Sequence, residues 1–123
     1  MKKQKLILEQ IDRKILLLGK VEGITIPSSG WVYSIRQSLG MSLRQLGKRM
    51  GITPQSVKEI EEREKNETIS IRVLKEFEES LDLKFIYGFI PEQGSLEKLI
   101  NARAIELAEE LVTRTSIINQ CIK

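Results

Sequence analysis

The sequence predicts a mainly α-helical protein, a helix-turn-helix bundle with added N- and C-terminal helices and one short β-strand. Apolar residues recur at three- and four-residue steps over most of the 123 residues, which is the spacing of amphipathic helices. Ser42, Thr53 and Ser70 each precede such a stretch, where a hydroxyl group can cap a helix. A segment near residue 85 alternates with a period of two, as a strand does. A chain of this length can bury one substantial core.

Residues 1–30 are predicted to form a helix followed by a connector. The helix spans about residues 3–19 and ends at Gly19, because apolar side chains recur along it at helical spacing. Residues 21–30 contain two glycines, Pro27 and a Ser-Ser pair, which favours a connector with a short extended piece at 24–26. The apolar stripe of the helix consists of Leu6, Ile7, Ile11, Ile15 and Leu18.

Residues 31–82 are predicted to form the helix-turn-helix domain from four short helices. Ser42 has Gln45 three residues after it, which is the spacing of a capping box. Thr53 can cap the next helix and is followed by proline, which is favoured at the first helical position. The expected core consists of Val32, Ile35, Leu39, Leu43, Leu46, Met50, Ile52, Val57, Ile60, Ile71, Leu74, Phe77 and Leu81.

Two glycines mark the turn of this domain. Gly51 stands where the backbone must reverse between the second and third helices. Gly47 lies inside the second helix, where glycine costs about 1 kcal/mol relative to alanine. We therefore expect the third helix to approach Gly47 closely enough to need the missing side chain.

Residues 83–123 are predicted to contain a strand and a long helix that serve dimerisation or contact a partner. The strand covers residues 84–90 and is bounded by Pro91, and Ser95 begins the helix. A lone strand leaves backbone groups unpaired, so it needs residues 24–26 of the same chain or a second copy as its partner. We predict a homodimer to which the strand and this helix contribute. The stripe of the helix consists of Leu96, Ile100, Ala104, Leu107, Leu111 and Ile118.

Composition argues against most catalytic and metal chemistry. The chain has no His, so it can form neither a Ser-His-Asp nor a Cys-His nucleophile, nor a zinc site that uses His. Cys121 is the single cysteine, which excludes a disulfide within the chain and fits a reducing compartment. Adjacent carboxylates such as Glu61-Glu62 point about 100° apart on a helix and do not converge on a substrate. We expect no enzyme, no cofactor and no metal; a hydrolase built without His is the remaining minor alternative.

The longest aliphatic run, residues 15–18, is too short to cross a bilayer, so we expect a cytoplasmic protein without a membrane segment.

Charge is uneven along the chain. Residues 1–30 and 31–63 each carry a net charge of +3, whereas residues 64–94 carry −3. A polyanion would be bound by the first half of the chain. The alternative is that these differences are the usual variation in surface charge from segment to segment.

The sequence of the domain's third helix, which follows Thr53, predicts that its outward side contacts a DNA groove. It begins with Thr53-Pro54-Gln55-Ser56, which is polar and uncharged, so it can enter a major groove without repelling phosphates. Gln can hydrogen-bond adenine bidentately, Ser can reach several base edges, and N–H groups near Ser42 can hold a phosphate. The alternatives are a helical hairpin that only packs, or one reused for protein contacts. The candidate DNA-binding residues are Ser42, Arg44, Thr53, Gln55, Ser56 and Lys58.

Capping, turn and core positions of residues 42–61 together resemble the DNA-binding domain of the Xre/Cro-type, phage-repressor class. The matching pattern is Ser42-x-x-Gln45-Leu46-Gly47-x-x-Met50-Gly51-Ile52-Thr53-x-x-Ser56-Val57-x-x-Ile60-Glu61, and it continues to Leu81. More narrowly, the sequence resembles the mobile mystery protein A family, which is typically encoded beside a Fic-domain protein on mobile elements. That narrower resemblance lies in Gly30-Trp31, the run from Arg36 to Gly40 and the ending Phe-Ile-Tyr-Gly-Phe-Ile-Pro at 85–91.

The class resemblance implies base reading by Gln55 and Ser56 and phosphate contacts by Thr53 and Ser42. The sequence departs from the class at Pro54, where many relatives carry a base-reading Gln, so one contact is missing. Lys58 and Glu59 also depart from the commoner pattern, which leaves the recognised base sequence open.

The resemblance also implies an ion pair between Arg36 and Glu61, linking the first and third helices of the domain. It implies a repressor-like fold and a sequence-specific transcriptional repressor that binds a palindromic operator as a homodimer and regulates its own operon. The narrower resemblance implies an antitoxin-like partner of a Fic-type protein. The alternative function is a protein-interaction module that neutralises a toxin without binding DNA.

Overall fold

Six helices make up the computed structural model, which describes the backbone of residues 2–122 and the side chains of residues 2–115. The helices are α1 (Lys2–Gly19), α2 (Trp31–Ser38), α3 (Leu43–Met50), α4 (Pro54–Lys65), α5 (Ile71–Ser80) and α6 (Leu96–Ile122). All six helices predicted from the sequence are thereby confirmed. Over residues 2–122, no helix combines the length and the apolar character that crossing a membrane requires. Ile118 and Cys121 lie outside the residues whose side chains are described.

The chain divides into two compact units, and each is built separately. One unit comprises Ile24–Tyr87 and therefore contains α2 to α5. The other comprises Met1–Gly23 and Gly88–Lys123, that is, α1 and α6.

The four-helix unit is organised around one apolar core. Val32, Leu46 and Val57 are completely buried, and Ile60 and Phe77 join them. These five residues come from all four helices of the unit, so the core holds the helix-turn-helix together. Of the further core residues expected from the sequence, Leu39 and Ile71 are exposed instead. The half-buried residues that surround the core are Ile35, Met41, Leu43, Met50, Ile52, Ile69, Val73, Leu74 and Leu81.

Each predicted hydroxyl cap in this unit is confirmed. Ser42 Oγ accepts the N–H of Gln45 at 3.1 Å. Thr53 Oγ1 accepts the N–H of Ser56 at 3.1 Å. Ser70 Oγ caps α5 by accepting the N–H of Val73 at 3.2 Å. Each hydroxyl satisfies an N–H group that the first helical turn leaves without a backbone acceptor.

In the unit of α1 and α6, a carboxylate fixes the start of the long helix. Asp12 of α1 accepts the N–H of Leu96 at 2.8 Å and the N–H of Glu97 at 3.2 Å. Ser95 caps α6 as predicted, because its Oγ accepts the N–H of Lys98 at 3.1 Å. Three of the first N–H groups of α6 are therefore satisfied by side chains, two of them by a residue more than 80 positions away.

The predicted apolar stripes of α1 and α6 are mostly uncovered. In α1 only Ile15 is buried, while Leu6, Ile7 and Ile11 are exposed. In α6 every described side chain from residue 103 to residue 115 is exposed. The spacing correctly predicted helices here, and most of the apolar side chains of these stripes are not covered by the described residues of the unit.

The predicted strand at residues 84–90 is not formed. Residues 83–90 have no regular secondary structure, and neither they nor residues 24–26 form a strand. Phe85 and Tyr87 do stack, with ring centroids 5.5 Å apart, so side chains two residues apart share a side as in a strand. Phe89 is 89% exposed. The alternation therefore predicted an extended backbone, but a strand also needs a neighbour for its N–H and C=O groups, and none is present in the described part of the chain.

Candidate nucleic-acid interface

The start of α3 is shaped by a reciprocal capping box. Ser42 Oγ accepts from the N–H of Gln45, and Gln45 Oε1 accepts the N–H of Ser42 at 2.8 Å. The N–H groups of Leu43 and Arg44 have no intrahelical acceptor, because they lie in the first turn. They carry the partial positive charge of the helix N-terminus, which favours a phosphate oxygen at this position.

The start of α4 is held by a second hydroxyl cap. Thr53 accepts from the N–H of Ser56, and its hydroxyl lies 2.9 Å from the Ser56 hydroxyl. Pro54 occupies the first helical position, where the absence of an N–H costs nothing. Gln55 follows it, and its side chain is exposed. The first turn of α4 thus presents two hydroxyls and one amide on a fixed backbone.

Two glycines set the distance between α3 and α4. Gly51 ends α3 with φ 72° and ψ 30°, a left-handed conformation that glycine adopts without strain. At Gly47 a Cβ atom would lie 2.7 Å from the carbonyl oxygen of Ile52 and 3.3 Å from the carbonyl carbon of Thr53. A close approach at Gly47 is therefore present as expected, but its shortest contacts come from the turn residues Ile52 and Thr53 and not from the helix that follows them.

A buried ion pair anchors α4 to α2. Arg36 donates from Nε to Glu61 at 2.9 Å and from a terminal nitrogen to the same carboxylate at 2.9 Å. Its other terminal nitrogen donates to the carbonyl of Met41 at 2.9 Å. The ion pair that the resemblance implied is therefore present. Its two side chains are only 9% and 8% exposed, so it lies in the interior. The Arg36 guanidinium also lies 5.5 Å from the ring centroid of Tyr33.

The hydrogen bond with Glu61 raises the pKa of Arg36 above its usual range. Desolvation by burial opposes this shift, while the negative charge of Glu61 and the neighbouring Tyr33 raise the pKa further. A raised pKa in the folded state stabilises the fold below the unfolded-state pKa. That contribution is lost only as the pH rises through the raised value. The guanidinium therefore keeps its charge throughout the neutral range.

A second carboxylate of α4 caps α2. Glu64 accepts the N–H of Trp31 at 2.9 Å and the N–H of Val32 at 2.8 Å. Gly30, at the N-cap position, supplies no side chain for capping, and a Cβ there would lie 2.8 Å from Glu64 Oε1. Sequence reasoning missed this contact. The available signal was a helix start without a Ser, Thr, Asp or Asn, which indicates that the acceptor comes from elsewhere.

The inward and outward sides of α4 therefore have separate tasks. The inward side packs into the core and reaches α2, through Val57, Ile60, Glu61 and Glu64. The outward side is exposed and comprises Gln55, Lys58, Glu59 and Glu62. Spacings of three, four and seven residues put each set on one side of the helix.

The six sequence-predicted site residues all lie in the four-helix unit, on α3, on α4 or at their N-caps. Ser42, Arg44 and Thr53 are exposed, as are Gln55 and Lys58. The side chain of Ser56 is half-buried beneath its contact with Thr53. Lys58 lies a turn beyond Gln55, next to Glu59, so its surroundings are less cationic than those of Arg44.

The charges on α3 and on the first turn of α4 are of one sign. Between residues 23 and 58 the sequence contains no Asp or Glu, and its charged residues are Arg36, Arg44, Lys48, Arg49 and Lys58. Arg36 is neutralised by Glu61 in the interior. Arg49 is a structural contact, since its Nε donates to the carbonyl of Ser80 at 3.0 Å and ties α3 to the end of α5. α3 and the first turn of α4 therefore present basic and neutral polar groups only.

Comparison with known proteins finds a family match in the same four-helix unit. Residues 32–87 match the helix-turn-helix family model. The match includes α3, α4 and α5 and all but the first residue of α2, and it supports a helix-turn-helix of the Xre/Cro type, which indicates a DNA-binding regulator. No curated protein and no solved structure matches this chain.

Proposed function

We propose that the protein is a sequence-specific DNA-binding transcriptional regulator that acts as a repressor by occupying its operator. The observation that carries this proposal is the exposed, acid-free start of α4. It is held rigidly by contacts on the opposite side of the helix and lies within the segment that matches a helix-turn-helix model. The first turn of α4 can therefore enter a major groove without rearrangement.

The proposed contacts divide into base reading and phosphate binding. Gln55 hydrogen-bonds a base edge, with adenine as its preferred bidentate partner, and Ser56 supports it. Ser42, Thr53 and Arg44 bind phosphates beside the groove, and Lys58 adds a cation further along α4. Phosphate contacts supply most of the affinity, whereas the base contacts supply sequence preference.

The proposed assembly is a cytoplasmic homodimer on a palindromic operator, in keeping with the spacing of half-sites for this class of motif. We propose autoregulation of its own operon and, from the narrower resemblance to mobile mystery protein A, an antitoxin-like partnership with a Fic-type protein. Catalysis and a cofactor form no part of this proposal.

A toxin-neutralising interaction module is the second candidate. It is favoured by the exposed apolar side chains of α1 and α6, which are available to another protein. DNA binding discriminates between the two candidates, since the module alone predicts no specific footprint.

The test is footprinting and salt-dependent binding on DNA upstream of the gene. The regulator predicts a protected site and an affinity that falls with rising salt. Gln55→Ala should reduce discrimination between the site and its base variants by about 1–3 kcal/mol, while exposed Gln37→Ala on α2 serves as the matched control. Arg44→Ala should weaken binding to all sequences alike and lower the salt slope by about 1. The absence of a protected site would refute the regulator.

A further inference from the structure

α6 carries an exposed apolar seam with the repeat of a coiled coil. Ile100, Ala104, Leu107 and Leu111 follow one another at steps of four, three and four residues, which matches the core positions of a heptad. Ile100 is 50% exposed, Leu107 60% and Leu111 61%. We call these four residues the α6 seam.

The seam is distinct from the covered side of α6. Among the described side chains of α6, the half-buried ones are Leu96, Leu99 and Ala102. At 100° per residue Leu99 and Ala102 lie on a different side from the seam, and Leu96, four residues before Ile100, lies where the two sides adjoin. Asp12 fixes only the first N–H groups of α6. The α6 seam therefore has no partner among the described residues of its own unit.

We infer that the α6 seam pairs in antiparallel orientation with the same seam of a second copy of this chain. Such pairing sets each core position of one helix against the other core position of its partner. Ile100 then packs against Leu111 of the second copy, and Ala104 packs against Leu107. The twofold axis repeats both contacts, so large and small side chains alternate and fill the seam.

The charges beside the seam select the second copy and its direction. In the antiparallel register Arg103 faces Glu110 of the second copy, and the symmetry makes two such ion pairs. Beyond the apolar layers, Glu97 faces Arg114 of the second copy at each end. Arg114 already donates to Glu110 of its own helix at 2.8 Å, where both side chains are more than half exposed. This self-complementary order, with acid and base exchanged about one centre, is what a twofold contact requires.

A parallel pairing of the two seams would not bring opposite charges together. It would set Arg103 beside Ala108 of the other helix and would place the two Arg114 side chains against each other in the core. Like charges at that position destabilise a coiled coil, and no ion pair would compensate for them. The antiparallel second copy is therefore the occupant. The inference rests on the homodimer within the proposed function and is independent of the proposed DNA contacts.

Cysteine cross-linking tests the direction of the pairing on the full chain. In a Cys121→Ser background, Ile100→Cys and Leu111→Cys are made separately, and each is oxidised alone and as a mixture. The antiparallel seam predicts a disulfide in the mixture that joins position 100 to position 111. Each variant alone should stay uncoupled, because identical positions lie 11 residues, or about 16 Å, apart along the helices. Cross-linking of the single variants, or none in the mixture, would overturn the inference.

Charge exchange measured by sedimentation equilibrium tests the ion pairs. Arg103→Glu and Glu110→Arg should each raise the dimer dissociation constant about tenfold or more, since attraction becomes repulsion at two symmetric places. The double variant should return to within about threefold of the unchanged chain. Glu109→Arg, on the outward side of α6, should have no such effect. A monomer at every concentration, or a double variant as weak as its parents, would overturn the inference.

These experiments contain no DNA, so they separate the two proposals. A cross-linked antiparallel dimer without a footprint would retain the α6 seam and refute the regulator. A footprint from a chain that sediments as a monomer would support the regulator and refute the pairing of the α6 seam.

Discussion

Replacing Gly47 by alanine is the most direct test of how the helix-turn-helix is held. A Cβ at residue 47 would lie 2.7 Å from the carbonyl oxygen of Ile52, about 0.7 Å inside the 3.4 Å at which ordinary contact begins. The obstacle is backbone, and Gly47 also accepts the N–H of Ile52 at 2.9 Å, so relieving the contact must move the turn itself. Overpacking of this kind costs about 1–3 kcal/mol.

Two effects of opposite sign therefore compete in Gly47→Ala. Helix propensity alone would stabilise the variant by about 1 kcal/mol. Because the obstructing atom belongs to the backbone, we place the steric cost near the upper end of its range and expect a net loss of about 1–2 kcal/mol. Under the proposed function, the displaced turn would also weaken DNA binding through Gln55.

Urea unfolding followed by far-ultraviolet circular dichroism measures this free energy. Gly19→Ala is the matched control, because Gly19 ends α1 with no atom within 4 Å of its added Cβ. That variant should be neutral or slightly more stable. If Gly47→Ala were as stable as the unchanged chain, the close approach of the turn would not constrain residue 47 and the reasoning would be refuted.

Three further predictions concern side chains that join distant helices. Glu61→Gln should cost about 3–5 kcal/mol in urea unfolding, because Arg36 would keep a buried charge without its counter-ion; a loss under 1 kcal/mol would contradict the buried pair. Glu64→Gln should cost about 1–2 kcal/mol by weakening the cap on α2, whereas exposed Glu62→Gln should change the unfolding free energy by less than about 0.5 kcal/mol. Asp12→Ala should increase hydrogen exchange in the first turn of α6 more than elsewhere, since two N–H groups lose their acceptor; unchanged exchange there would show that the contact carries no stability.

Much of the four-helix unit could be predicted because its signals are local. Ser42 with Gln45, Thr53 with Pro54, and Gly51 each define a helix end within a few residues, and each lies where the sequence indicated. The core spacing of α3 and α4 follows from helical geometry alone. The same local rules placed Gln55 on an exposed first turn.

Contacts between distant residues could not be predicted in this way. Glu64 lies 33 positions from Trp31, and Asp12 lies 84 positions from Leu96, so nothing near either carboxylate indicates its role. The predicted strand at residues 84–90 was wrong for a related reason. Alternation of side chains indicates that one segment is extended, whereas a strand also needs a second segment to pair with. The stripes of α1 and α6 predicted helices correctly, while their burial depends on what else is present.

The division of labour within α4 bears on how such a protein can change over generations. Its scaffolding carboxylates, Glu61 and Glu64, face α2, whereas Gln55 and Lys58 face outward. We therefore expect substitutions at positions 55 and 58 to change the folding free energy by less than about 0.5 kcal/mol. For the proposed regulator, substitutions at these two positions can change the preferred DNA sequence during evolution. The contacts of Glu61 and Glu64 with α2, and with them the fold, stay the same.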